Sequence, residues 1–570
     1  MVDTDYETTD VVICGCGPTG AMLSTYLGRM SIPHVVIEKE PEITTDPRGI
    51  ALDEDGIRAL QGAGIYDRLY SDIGTCMHKF KFIGGTDKVL DKKAFLEMDY
   101  GTTEGGTGHV GFICHKQPIL EKHLRTAMTS SSFCQLQTNA TMIDMREEGE
   151  HVYSQYRDAQ GKIHNLKSRF LVGADGKTGF TRKSFMEPLG IRMEQAHQCF
   201  YDETWVALNW EISLPTERTH PDFPLWKLGY TPQEVYDLFF PESFRLIQDI
   251  TFPDDCIRVL RSRPFRFAAR SCNRWSHSRV ILCGDAAHVF PPFGGQGIAS
   301  GFRDAISLAW RLVLLCRRKP STKPSNHEQV LSAWYIERKQ QLERSLASTI
   351  ANGQFVTEGN PLKIFLRDWS LYFLHFIPTW RRDLRLGRRK EGMVPYKYSP
   401  GLPFNPAHKG GTFLRQVYCK PIGKSGDVLF SDDIIFKKEK KGLFQLLVYL
   451  KNVNELTAAR EAVSRIEETS KGEIPYAEVT YLVGKLEMES RVLTQDTYSV
   501  YRLATAEEFA GSHLCRGRPK PEYYDPHQLG KALGGTKFVL IRADRVVYAA
   551  CDNASQLEKE VREAVAYLRA

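Results

Sequence analysis

The chain opens on a glycine pattern that leaves little freedom of fold. Val11-Val12-Ile13-Cys14 is a short apolar strand, Gly15-x-Gly17-x-x-Gly20 follows it, and a helical stretch runs from about Pro18 to Met30. Ile32 to Glu38 reads as a second strand, which completes a βαβ unit. In such a unit Gly15 permits the tight turn. Gly17 lets a pyrophosphate approach the backbone, and Gly20 lets the helix pack on the strand. The free N–H groups of the first helical turn, where Thr19 sits, favour a phosphate. Glu38 closes the second strand eighteen residues past Gly20, placed to accept hydrogen bonds from a ribose. An acid there argues against a 2′-phosphate, although Lys39 follows it directly. The pattern alone does not separate NAD from FAD.

At 570 residues the chain outgrows one hydrophobic core, so two or three domains are expected. Apolar residues at 42% and charged residues at 25% are ordinary for a globular protein. The net charge of +6 is small for this size and gives no case for nucleic acid as a partner. The 13 cysteines are scattered. Their only close pair, Cys14 and Cys16, flanks a glycine, so neither a metal site nor a disulfide framework is expected. A reducing, cytoplasmic compartment follows. The first residues are acidic and lack the apolar core of a signal peptide, and no run reaches the roughly 18 apolar residues of a membrane span. Leu371 to Trp380 is the most apolar helical stretch and reads as core or interface. The basic run Arg381 to Lys390 reads as a solvated face, with an anionic contact as the lesser alternative.

Further along, Phe170–Val172 and Val280–Leu282 are buried-looking strands, each ending in a Gly/Asp turn. Thr204–Ile212 and Cys256–Phe267 alternate as strands of another sheet. A helical region spans Gly297 to about Ile350, with one solvated face over Val330–Ala347. The expected organisation is a main domain over 1–395, with a sheet part at about 195–270. A Pro- and Gly-rich linker follows over 396–411, then a smaller unit over 412–570. In that unit Phe444–Leu450 is a strand and Asn454–Glu468 an amphipathic helix capped by Asn454. Tyr476–Val483 and Val500–Ala504 are strands, Lys537–Ile541 and Arg545–Ala550 a hairpin, and Ala554–Leu568 a last helix. This order suggests a thioredoxin-like domain. It has no CxxC, so no redox work is expected of it.

Two distant segments carry the chemistry. Val172-Gly173-Ala174-Asp175-Gly176, with Arg182 beyond it, resembles the DG motif of flavoprotein aromatic hydroxylases. Gly284-Asp285-Ala286-Ala287-His288, then Pro291-Pro292-Phe293-Gly294-Gly295-Gln296-Gly297, resembles their second FAD motif. As a whole the chain is similar to the class A flavoprotein monooxygenases of the para-hydroxybenzoate hydroxylase fold, in the branch of phenol hydroxylase and 3-(3-hydroxyphenyl)propionate hydroxylase. The fold class is α/β: a Rossmann-like FAD domain, an interleaved β-sheet substrate domain and the C-terminal thioredoxin-like domain. The physics of the second motif stands by itself. Asp285 at a strand end can hold ribityl hydroxyls. Gly294, Gly295 and Gly297 let backbone lie flat against a ring. Amides of the helix starting near Gly297 would stabilise negative charge on a reduced flavin.

The resemblance implies non-covalent FAD, NADPH or NADH as a transient co-substrate, O2, and a small phenolic substrate hydroxylated through a flavin C4a-hydroperoxide. It places Arg48 against the flavin or pyrophosphate and Gln117 near the ribityl chain. It has Asp175 serve both FAD and the pyridine nucleotide, and turns the Pro292 backbone towards the flavin. Asp53 is the expected base for the phenol, a helix-cap aspartate being the plainer alternative. His288 is expected to be packed and satisfied by backbone, and Tyr335-x-Glu337-Arg338 to be ion-pair structure. The C-terminal unit is expected to pack on the main body or on a second subunit, as in a homodimer. Two features depart from the family. Only 45 residues separate Glu211 from Ile257, so the substrate sheet is shortened, and Ala299 stands where Asn is frequent. A catalytically impaired FAD-binding relative, or the same chemistry turned to ketone oxygen insertion or epoxidation, are the alternatives.

Overall fold

The computed structural model describes residues 5–45, 49–83, 94–195, 201–223, 252–318, 326–387, 389, 393–422, 426–486 and 500–569. Its eight-stranded first sheet includes β1 (Glu7–Cys14), β2 (His34–Ile37), β3 (Cys134–Gln137), β4 (Thr141–Glu148), β5 (His151–Arg157), β6 (Ile163–Gly173) and β7 (Val280–Leu282), with the short strand Ser276–His277 antiparallel at its edge. The core order is β7-β6-β1-β2-β3, all parallel, with β4 and β5 as an antiparallel extension of β6. Both faces of this sheet are covered, which is why β1 reads as an unbroken apolar run. Val11, Val12 and Ile13 are completely buried, each stabilising the fold by about 1.5–3 kcal/mol. Helix α1 (Pro18–Arg29) connects β1 to β2.

Helices α2 (Glu54–Gly62), α3 (Gln117–Thr129), α4 (Gln296–Arg317) and α5 (Asn326–Thr357) surround the sheet, and α1 packs on α3 and α4. The expected helical region from Gly297 is thus two helices. Asp202–Ile212 and Ile257–Ala268 pair along their whole length as an antiparallel ribbon. Among the described residues no third strand joins them.

The apolar stretch Leu371–Trp380 is not core. It belongs to α6 (Pro361–Leu374) and α7 (Pro378–Leu386), whose only buried residue is Leu386. The basic run is mostly solvated, but Arg389 is buried, its guanidinium bonded to the Thr102 hydroxyl and carbonyl. Residues 396–411 form a packed strap. Tyr396, Leu402 and Phe404 are buried, and the Asn405 amide donates to Glu560.

The C-terminal unit is a seven-stranded sheet with helix α8 (Ala554–Arg569) against it. Its labelled strands are β8 (Tyr418–Pro421), β9 (Phe444–Leu450), β10 (Thr480–Val483), β11 (Val500–Leu503), β12 (Phe538–Arg542) and β13 (Val547–Cys551), in the order β8-β11-β10-β9-β12-β13. The pairs β9–β10 and β10–β11 are parallel; β9–β12 and β12–β13 are antiparallel. The single helix expected over Asn454–Glu468 is broken into Leu456–Ala462 and Ile466–Thr469. The Ser464 hydroxyl bonds back to the Glu461 carbonyl at the break. The first turn is capped by Asn452, not Asn454. Tyr476–Glu478 is a 3-10 turn ahead of β10.

The unit docks on the main body through buried charge. Asp432 binds Arg58 of α2 at 2.6 Å and also Arg545, while Glu337 of α5 binds Arg311 at 2.8 Å and Arg542 at 2.6 Å. Each of these ions has hydrogen-bonded partners, as burial requires.

Candidate active site

The three turns singled out in the sequence lie side by side where β1, β6 and β7 end. The Gly15 N–H donates to the Ile37 carbonyl at 2.8 Å, the Ala174 N–H to Cys14 at 2.8 Å and the Cys283 N–H to Gly173 at 2.9 Å. From β1 the chain passes to β2 on one side, while β6 and β7 lie on the other. This is the switch point of an open α/β sheet, where a crevice opens beyond the strand ends.

The glycines of the first turn divide their work. Gly15 has φ +101°, and a Cβ there would sit 2.5 Å from the Ala174 carbonyl oxygen. A Cβ on Gly20 would overlap the Gly15 carbonyl. Gly17 instead faces open space, with no described atom within 4 Å of such a Cβ, and the same holds at Gly176 and Gly297. No described side chain caps the first turn of α1, so its N–H groups remain for an anion. The Thr19 side chain is a wedge. It fills the space a Cβ on Gly284 would need, 2.6 Å from it, and would also overlap one on Gly301. The first turn, the Gly284 turn and α4 therefore form one continuous wall.

Glu38 is buried beside the first turn. Its Oε2 accepts the Cys16 N–H at 2.7 Å and its Oε1 the Glu40 N–H at 2.9 Å. Lys39 is exposed and lies 3.5 Å from Glu40. Cys14 and Cys16 are buried, which pushes both thiols up, Cys16 to about 12. Asp175 Oδ2 accepts the Thr181 N–H at 2.8 Å and its hydroxyl at 3.0 Å. Asp175 Oδ1 is buried without a hydrogen-bond partner among the described residues, and burial raises this carboxyl above its ordinary range. Asp285 stands exposed just past the end of β7.

Arg48 lies outside the described residues. Its neighbour Gly49 packs against Ile298 and donates its N–H to Gln117 Oε1 at 2.7 Å, while Gln117 Nε2 donates to Glu121 at 2.7 Å. Gln117 thus holds Gly49, where the described chain resumes.

At the far end, Pro292 is exposed, and Gly294 and Gly295 adopt left-handed backbone, φ +74° and +61°, leading into α4. A Cβ on Gly295 would press on the Ala51 carbonyl at 2.8 Å, so this turn leans on the strand before Asp53. Asp53 is paired on both oxygens. It caps α2 by accepting the Gly56 N–H at 2.8 Å, and its other oxygen accepts Gln296 Nε2 at 3.0 Å and the Arg303 guanidinium. His288 differs from the expectation. Its Nε2 meets Asp304 Oδ2 at 2.6 Å, a carboxylate and not the backbone.

Asp304 is the central residue that sequence reading missed. The same Oδ2 accepts the Gly284 N–H at 3.2 Å, and Oδ1 accepts Arg338 Nε at 2.8 Å. Burial would raise this carboxyl, but His288 and Arg338 outweigh it and hold it below the usual range. The signal was a charged pair, Arg303-Asp304, inside a mostly apolar helix. Glu54 was also missed. Burial lifts it to about 7 against the pull of Arg389 at 3.4 Å and the Thr107 hydroxyl at 2.7 Å. Apart from the turns, His220, Asp255 and Cys256 form one cluster of metal-ligating side chains in the middle segment, within 4.8 Å of one another.

The sequence profile of the FAD binding domain family matches residues 8–325. The chain belongs to this family. It is 28% identical over 415 residues to a 3-(3-hydroxy-phenyl)propionate/3-hydroxycinnamic acid hydroxylase of Burkholderia cenocepacia (strain HI2424), covering 70% of this chain and 73% of that protein. It is 24% identical over 457 residues to the protein of that name in Escherichia coli (strain K12 / DH10B), covering 75% and 77%. Among solved structures, aklavinone-11 hydroxylase in a ternary complex with FAD and aklavinone superposes over 99% of this chain and 100% of its own, with TM-score 0.62 and 18% identity. The p-nitrophenol 4-monooxygenase PnpA of Pseudomonas putida DLL-E4 covers 67% of this chain and 100% of its own, with TM-score 0.53 and 20% identity. The resemblance read from the motifs is borne out, and the fold is the mixed α/β fold of this family. The cofactor is FAD, and the turns fit it: Gly17, Gly176 and Gly297 each leave open space where a Cβ would stand, and Asp175 has a buried oxygen with no hydrogen-bond partner among the described residues.

Proposed function

We propose that the protein is an FAD-dependent monooxygenase that uses NADPH or NADH and O2 to hydroxylate a small phenolic or related aromatic compound. The observation that carries this reading is the joining of the first turn, the Gly284 turn and α4 by Thr19, with open space at Gly17 and Gly297. The printed names of the relatives support the reaction class.

In this reading Gly15, Gly17, Thr19 and Gly20 form the pyrophosphate turn, Glu38 meets the ribose, and Lys39 stays in solvent. Arg48 approaches the flavin or pyrophosphate, and Gln117, which holds Gly49, lies near the ribityl chain. Asp175 offers its free oxygen between cofactor and co-substrate. Gly284 and Asp285 receive the ribityl chain, with Asp304 fixing the Gly284 N–H. The backbone of Pro292, Gly294, Gly295 and Gly297 lies against the ring, and the α4 amides favour negative charge there. Bound FAD would supply hydride acceptance and oxygen activation. Asp53 keeps its ion pair, and the base for the phenol is a residue other than Asp53.

The domain reading is 1–395 for the FAD and substrate part, 396–411 for the strap, and 412–570 for a thioredoxin-like unit without CxxC. The order β10-β9-β12-β13 supports that last assignment. The substrate sheet, about 195–270, is shortened to the ribbon. Twelve described cysteines, all free, support a cytoplasmic setting. No helix among the described residues is long and apolar enough to cross a membrane.

The test is NADPH consumption by the purified protein in air, with and without phenols, together with product analysis. Stimulation with a hydroxylated product supports the reading; bound flavin without it assigns the chain to an impaired relative, as the bare ribbon would favour. Asp285→Ala is expected to lose bound flavin, and retention of stoichiometric FAD removes Asp285 from the ribityl site.

A further inference from the structure

The chain's charge is concentrated in one place. Residues 361–390 contain eight basic and two acidic residues, so these thirty positions hold the whole excess of +6. The same stretch carries the helix pair α6 and α7. Phe365, Leu366, Trp369, Phe373, Phe376 and Trp380 recur at helical spacing, and each is between 47% and 69% exposed. Scattered apolar residues are normal on a surface, but a continuous aromatic stripe on two successive helices marks an interaction site.

The opposite side of the pair is firmly seated. The Arg367 guanidinium lies over the Phe95 and Phe355 rings at 4.6 and 4.7 Å and donates to the Phe355 carbonyl at 2.8 Å. Arg385 binds Glu104 at 2.7 Å and lies 3.9 Å over the Tyr523 ring. The stripe is therefore held facing outwards by its own anchors. Its rim is basic. Arg381 and Arg382 follow Trp380 directly and are exposed, Arg382 also meeting Glu104 at 3.2 Å, and Lys363 is exposed at the other end, 3.5 Å from Glu358. The acids of the pair are Asp368, spent on Arg367 at 2.8 Å, and Asp383.

We propose that α6 and α7 dock the protein on an anionic lipid surface, with the aromatic stripe in the interface and the basic rim among the headgroups. Neither helix can span a bilayer. An apolar, tryptophan-bearing face with a Lys/Arg border is the composition of helices that lie in the interface plane. A second copy is the weaker occupant, because a two-fold contact through this face would set the basic rims against each other. A negative lipid surface neutralises them. The inference does not rest on the flavin reading, and its test is independent of turnover.

The experiment floats the full-length, FAD-loaded protein with vesicles of phosphatidylcholine alone or mixed with phosphatidylserine, at low and high salt. The expected result is flotation with the phosphatidylserine vesicles that weakens in high salt. Phe373→Glu with Phe376→Glu should reduce partitioning by on the order of tenfold. Arg381→Ala with Arg382→Ala should reduce it about fivefold per charge, on anionic vesicles only. Flavin absorbance checks that the variants are folded. No flotation of the wild type, or flotation unchanged in both variants, overturns the proposal. A wild-type dimer on gel filtration that the Phe→Glu pair splits gives the face to a second copy and also overturns it.

Discussion

The parallel sheet and the antiparallel ribbon of the main body are built on opposite principles. The strands that carry the turns are covered on both faces, and Val11–Ile13 touch no solvent. The ribbon of Asp202–Ile212 and Ile257–Ala268 is a pair of strands with Val206, Trp210, Val259 and Leu260 all more than half exposed. Position is fixed in the first by close packing and by buried ions, whereas the second is held by its hydrogen-bond ladder and by surface ion pairs such as Arg266 with Asp202 at 2.6 Å. The lesson is that the crevice beyond the strand ends is specified tightly while the ribbon is not.

The largest break in that comparison is Gly20→Val. Its side chain would enter the Gly15 carbonyl, so no folded, soluble protein is expected on expression. Gly17→Ala is the contrast. It meets open space, so stability should move by less than about 1 kcal/mol while FAD titration shows weaker binding. Asp304→Ala removes the partner of buried Arg338 and releases the Gly284 N–H. A loss of about 3–5 kcal/mol in chemical denaturation is expected, with reduced flavin content.

Glu54 sharpens the comparison through pH. Its folded pKa, about 7, lies above the ordinary 4.5, so the folded state keeps a proton that the unfolded chain releases. Its contribution is complete below the lower value and is lost as pH rises through the upper one. Urea unfolding across this window should show a fall of roughly 3 kcal/mol or less, which Glu54→Gln flattens. The smallest effect belongs to the ribbon. Trp210→Thr and Val259→Thr are expected to change stability by no more than about 0.5 kcal/mol, and a larger loss would mean that the ribbon is packed after all.

What the sequence made legible is local. The turns at Gly15, Gly173 and Gly284 each follow a short apolar strand, and the family resemblance that their motifs carry is what placed them together. The parts it hid depend on distance or direction. Asp53 looked free because its partners, Gln296 and Arg303, lie some 250 positions away. Leu371–Trp380 has the helical periodicity of a core helix, and periodicity does not say whether the apolar side meets protein or an outer surface. Arg389 sat in a charge run yet lies buried on Thr102. Asn452 took the cap from Asn454 because the chain first makes one tight turn at Val453–Glu455.

Thr19 reaches Gly284 and Gly301 only because neither of those positions carries a side chain. Three sites, two of them about 270 positions from the first, therefore share a single volume. Drift at any one is vetoed by the other two, so descendants of this chain should change them together or keep all three.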